Sequence, residues 1–278
     1  MTIIDTIGDI EISPRSSFER ASQRTFFGVA ALFFVATAAV TIVWCVSMSA
    51  MGEMPMPGGW TMSMMWMLMP GQTWLDAAAS FLGMWIVMMI AMMLPALVPM
   101  LSRYRHAIGR TTGTRLAWLT VLVGTGYFSV WTLVGLVAFP LGAALASIEM
   151  QLPVMACAVP TTVSLVVLIG GALQFTRWKA HQLDYCRETP GRGCTLPSDA
   201  GTAWRHGLRL GLRCSFCCAN LSAILLVIGV MDLRAMAAVT AAITIERLAP
   251  GGERVAKAVG AVVVAAGLFL MARATGLA

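Results

Sequence analysis

Seven apolar runs separated by short polar segments organise this chain. They lie at Thr25 to about Met48, Trp74 to Met100, about Leu116 to Phe139, about Met155 to Phe175, about Gly207 to Val230, about Ala235 to Ile245 and about Val255 to Met271. Runs of this length leave no polar face for solvent, so each predicts a helix that crosses a bilayer. The sixth is short, and its helix is expected to begin nearer Met231. The pattern predicts an all-α, polytopic membrane bundle of about seven transmembrane helices. It divides the chain into a polar segment 1–24 and one transmembrane domain, 25–271.

Charge orients the bundle. Three Lys/Arg precede the first run, four fall in 101–115, seven lie between Arg177 and Arg213, and three between Arg247 and Lys257, leaving Arg234 and Arg273 for the other side. Basic residues stay in the cytoplasm, so the N-terminus and segment 176–206 are expected inside, and segment 49–73 outside. A content of 58% hydrophobic and 12% charged residues excludes a soluble domain of this size. The net charge of +6 is scattered between apolar runs, which argues against nucleic acid as a partner and for the lipid bilayer. Asp5, Asp9 and Glu11 ahead of Pro14 lack the order of a cleavable signal peptide.

Sulfur is the chemical anomaly. Fifteen of the 21 methionines lie between Met48 and Met100. On the second helix Met84, Met88 and Met92 form one row and Met89 and Met93 the next. The outer segment 49–73 adds Met51, Met54, Met56, Met62, Met64 and Met65 on a Gly/Pro-rich backbone expected to be flexible. Thioethers are soft ligands suited to Cu(I), and they are also adaptable fillers of apolar space; the pattern alone permits both. Trp60, Trp66 and Trp74 fit an interfacial anchor in the same segment.

Cys214, Cys217 and Cys218 stand at i, i+3 and i+4, so their thiols share one face of the fifth helix. Thiolates in that array suit Cu(I), or Zn(II) with a further ligand, whereas singly buried cysteines serve as small hydrophobes. Counting about 1.5 Å per residue from the inner surface puts Met92 and Met93 about 10 to 12 Å deep and Cys214 and Cys218 about 10 to 17 Å deep. A shared level predicts one intramembrane site formed by Met88, Met92 and Met93 with Cys214, Cys217 and Cys218. His181 and Cys186 on the inner segment are secondary candidate ligands, with Cys194 and His206 nearby. Asp76, Asp232 and Glu246 fall at helix ends, where interfacial positions suffice for them. Pro95 frees the carbonyl of Ala91, giving either a polar point or a kink. Gly207-x-x-x-Gly211 and Gly124-x-Gly126 allow close helix approach without naming a partner.

Trp85-x-x-Met88-x-x-Ala91-Met92-Met93-Leu94-Pro95, Pro99, Tyr104-x-His106, Gln174-Phe175, Trp178-Lys179, Cys186-Arg187, Gly211-x-x-Cys214-x-x-Cys217-Cys218, Gly229-Val230-Met231-Asp232-Leu233 and Glu246-Arg247-Leu248-x-Pro250 occur in that order. Over about residues 81 to 268 the chain resembles a bacterial domain-of-unknown-function family described as predicted metal-binding integral membrane proteins. Gln182, Phe216, Ala219 and Asp232 depart from the pattern. The resemblance implies a metal function in the bacterial inner (plasma) membrane.

Two functions follow. One is a Cu(I)-handling protein that takes copper on outer methionines and passes it through the bundle to inner thiols, with a metallochaperone as partner. The other is an accessory or assembly subunit of a larger membrane complex such as a copper-dependent membrane oxygenase. No Walker loop, Rossmann fingerprint, His-Glu-x-x-His or nucleophile elbow occurs, which favours a non-enzyme. A thiol redox enzyme is disfavoured, because Cys217-Cys218 is vicinal and Cys214-x-x-Cys217 sits inside an apolar run.

Overall fold

The computed structural model describes residues 14–50, 52, 54–67, 71–108, 111–187 and 199–276. Met51, the Met64 side chain, Cys194 and the first part of the polar N-terminal segment lie outside the described residues. The elements run α1 (Pro14–Ala50), β1 (Met54–Met56), β2 (Trp60–Met62), a single 3-10 turn at Met64–Trp66, α2 (Trp74–Ala107), α3 (Gly113–Gln151), α4 (Pro153–Leu173), α5 (Arg177–Arg187), α6 (Ala200–Ile228), α7 (Leu233–Leu248) and α8 (Gly252–Ala274). The all-helical expectation therefore holds, with one small hairpin added.

Six of the helices, α1, α2, α3, α4, α6 and α8, are long and apolar enough to cross a membrane. The sixth expected span falls on α7, which has 16 residues and rises about 24 Å, short of the roughly 30 Å of a hydrocarbon core. Its start is fixed by Asp232, whose carboxylate accepts the amides of Arg234 at 2.8 Å and Ala235 at 3.2 Å. Thr73 and Asp76 form a reciprocal capping box that starts α2, and Asp199 caps α6 through the amide of Thr202. Two further boundaries differ from the pattern. The third helix runs through Pro140 to Gln151 because one lost hydrogen bond does not stop a helix packed along its length. The break comes at Leu152, held extended before Pro153. Segment 176–206 carries the short α5 and the first turns of α6.

Side-chain contacts sort the connecting segments into two ends. At one, Arg105 of α2 donates to Ser22 of α1 at 2.9 Å and Tyr104 of α2 stacks on His206 of α6. At the other, Trp60 of the hairpin donates to the carbonyl of Ala156 on α4 at 2.8 Å, and Cys45 of α1 lies 3.8 Å from Met231 before α7. These are the ends assigned by charge to inside and outside.

Two close approaches set the core. Gly135 of α3 leaves room for the Trp85 ring of α2, whose indole N–H donates to the carbonyl of Trp131 at 2.8 Å. Along α3 and α6, a methyl group on Gly126 would come within 2.7 Å of the Trp204 carbonyl, one on Gly211 within 2.8 Å of the Tyr127 carbonyl, and one on Gly207 would collide with Val123. Gly207-x-x-x-Gly211 thus has its partner in Gly126, while Gly124 faces open space.

The outer methionine segment is folded. Met54 pairs with Met62 and Met56 with Trp60 across an antiparallel hairpin, closed through Gly58 and Gly59, both at positive φ. Alternation turns Pro55 and Thr61 outward and presses Met56 and Met62 onto Ala146 of α3 and Ala156 of α4. The flexible backbone expected from Gly and Pro is instead a tight turn, because those residues supply the φ angles a hairpin needs.

Candidate metal centre

Cys214, Cys217 and Cys218 lie at 0%, 0% and 1% exposure on the face of α6 that the glycine seam draws toward α3. The same seam carries Tyr127 of α3 to the sulfur: its phenol donates to Cys214 Sγ at 2.9 Å. From α7, Arg247 donates through Nη1 to Cys214 Sγ and through Nη2 to Met100 Sδ, each at 3.0 Å. Cys218 Sγ is 3.8 Å and Met93 Sδ 4.0 Å from the Cys214 sulfur. One thiol thus has sulfur neighbours from α6 and α2, a cation from α7 and a phenol from α3.

A second thiol pair adjoins it. Cys186, on α5, lies beside Cys217 and sends its thiol to the carbonyl of Arg213 at 3.1 Å. The contact with Cys217, followed by burial, holds the Cys186 thiol well above its usual range. Lys179 anchors α5 beside them, donating to the carbonyl of Cys217 at 2.7 Å and pairing with Glu246 of α7 at 2.9 Å. Gln174 completes the group by donating to Glu246 at 2.8 Å. Desolvation opposes the charge on Lys179, but Cys217 and Glu246 outweigh it and its ammonium is held above the ordinary range.

The donors fit a soft cation in spacing. Sulfurs bound tetrahedrally at about 2.3 Å lie about 3.8 Å apart, the separation of Cys214 from Cys218 and close to that of Cys214 from Met93. Among the described residues no group of three or more His, Cys, Asp or Glu side chains converges as a metal site. The thiols stand instead as two pairs, Cys214 with Cys218 and Cys186 with Cys217, and thioether sulfur supplies the further donors. Such an all-sulfur set suits Cu(I) better than zinc, whose sites favour closed shells of thiolate and imidazole. Thiolate is the ligating form, and a guanidinium 3.0 Å from the sulfur supplies the counter-charge it needs when buried.

Of the residues singled out from sequence, Met93, Cys214, Cys217, Cys218 and Cys186 come together. Met88 and Met92 are buried in the same core, at 1% and 3% exposure, but the sulfur that reaches Cys214 is that of Met93. His181 is exposed, with its ring edge-on to Tyr185 at 4.6 Å. Met54, Met56 and Met62 sit in the hairpin at the far end, and Met65 packs beside the main core. Asp76 and Asp232 are helix caps, as their positions suggested. Glu246, at 2% exposure, lies in a buried ion pair, because Lys179 enters from α5 to meet it. Tyr127, Met100, Lys179 and Arg247 were missed. The adjacent Glu246-Arg247 at the end of an apolar run was the available signal, since charge beside a membrane core calls for a buried partner.

A protein-family model, PpoB2, described as a copper chaperone, matches residues 82–270. No curated protein and no solved structure matches the chain. The matched stretch spans more than half of the chain and holds every sulfur and charged group of the centre, so the chain belongs to the PpoB2 family of copper chaperones.

Proposed function

We propose that this protein is a membrane-embedded Cu(I) chaperone whose cargo rests among Cys214, Cys218 and Met93, with Cys217 and Cys186 as the adjoining pair. The observation that carries this reading is the Cys214 sulfur, which has two sulfur neighbours within 4.0 Å and the Arg247 guanidinium at 3.0 Å in a buried site. The protein resides in the bacterial inner membrane with its N-terminus in the cytoplasm. Its α7 completes a seventh, shortened pass that ends at the level of the copper site. The thiols sit toward the cytoplasmic end and the hairpin methionines at the outer end, so donor strength rises inward.

Met88, Met92 and the outer methionines are secondary ligands on this reading, reached only as the cargo moves. A chaperone needs a recipient. A copper-dependent membrane complex, for which this chain serves as accessory subunit, accounts for the absence of any energy-coupling motif.

Copper content of purified protein tests the proposal. Wild type loaded with Cu(I) is expected to retain copper, and a Cys214→Ser/Cys217→Ser/Cys218→Ser variant to lose it by at least about tenfold, since soft metal prefers thiolate to hydroxyl. Equal copper in the two, with both folded, overturns the site.

A further inference from the structure

Beneath the proposed copper site, at the end of the bundle assigned to the cytoplasm, α2 and α6 border an open cavity of about 230 Å³ lined by Tyr104, Thr202, Arg205, His206 and Arg209. Tyr104 follows Met100 by one helical turn, and His206 precedes Cys214 by about two turns, so the cavity opens below the centre along the same two helices. We propose that it is a binding site for a phosphate-class oxyanion, supplied either as an anionic phospholipid headgroup or as a free phosphoanion.

Three features carry this. Arg205 and Arg209 stand one turn apart on α6, both exposed, and neither forms an ion pair or hydrogen bond with another described residue. Like charges at that spacing repel, and forked guanidinium groups match phosphate oxygens in pairs. Tyr104 is only 3% exposed, yet its hydroxyl has no hydrogen-bond partner, and a buried phenol is ordinarily satisfied. His206 lies flat on the Tyr104 ring, centroids 5.1 Å apart, which fixes that ring at the wall of the cavity. The local carboxylate, Asp199, is already engaged: it takes the amide and the hydroxyl of Thr202. Topological charge bias explains arginines at this end of the bundle, but it requires neither a cavity nor an unsatisfied phenol. The volume exceeds that of bare phosphate, leaving space for the organic part of a headgroup or phosphoester.

The test uses the full chain in nanodiscs of zwitterionic lipid. Calorimetric titration with inorganic phosphate, against chloride at equal ionic strength, reads the free-anion arm; native mass spectrometry after mixing with phosphatidylglycerol vesicles reads the lipid arm. Wild type is expected to bind one ligand in at least one arm. Arg205→Gln/Arg209→Gln is expected to weaken it by at least about tenfold and Tyr104→Phe by about fivefold, with Arg273→Gln at the opposite end leaving it unchanged. Tyr104→Phe removes one oxygen and preserves the ring contact, so it stays informative should the double variant fold poorly. Absence of binding in both arms, or equal affinity in wild type, the double variant and Tyr104→Phe, overturns the proposal.

Discussion

The hairpin and the buried centre are both rich in sulfur, yet they differ in every neighbour that matters. Met56 and Met62 pack with alanines, tryptophans and the further methionines Met54 and Met67, with no charged group among them, and their hairpin precedes the stretch that matches the copper chaperones. Around Cys214 and Cys217 stand Arg247, Lys179, Tyr127 and Glu246, charged or polar groups that a purely apolar core has no reason to bury. Sulfur abundance therefore identifies no site by itself. The two regions differ in the charge beside the sulfur, and on the proposed reading that charge marks the primary copper site.

Four substitutions sharpen that contrast. The largest effect is expected from Glu246→Ala, which strands Lys179 in a site where it is 1% exposed; breaking such a pair costs about 3 to 5 kcal/mol, measurable by thermal unfolding in detergent. A loss under about 1 kcal/mol would mean that Lys179 finds another partner and that charge around the centre is less constrained than it looks. Next comes Gly207→Val, which forces α3 and α6 apart at Val123 and is expected to cost about 1 to 3 kcal/mol and to reduce copper retention with it. Tyr127→Phe deletes one donor to Cys214 while keeping the ring, for about 1 kcal/mol of stability and a measurable weakening of Cu(I) binding in competition with a chelator. The smallest change is expected from Met62→Leu in the hairpin, a volume-conserving swap below about 1 kcal/mol and with copper retention unaltered. Copper loss there equal to that in the cysteine variants would erase the distinction between the two regions.

The bundle was legible because length and apolarity decide membrane helices almost alone. The hairpin was not, since three-residue strands leave no periodicity, and Gly58-Gly59 suits both a loose linker and a tight turn. At the centre, i, i+3, i+4 spacing placed the three cysteines on one face because that is a property of a single helix. The choice of Met93 over Met88 and Met92, and the arrival of Arg247 and Tyr127, depend on how far apart helices sit and how each is turned. No one helix encodes that.

The seam of Gly126, Gly207 and Gly211 has a consequence of another kind. Close backbone approach brings α3 near enough to α6 for the Tyr127 phenol to reach the Cys214 thiol, so that contact depends on the absence of three side chains. Larger side chains at these positions would disturb a thiol that none of them touches, and an inventory of ligands alone would never point to them.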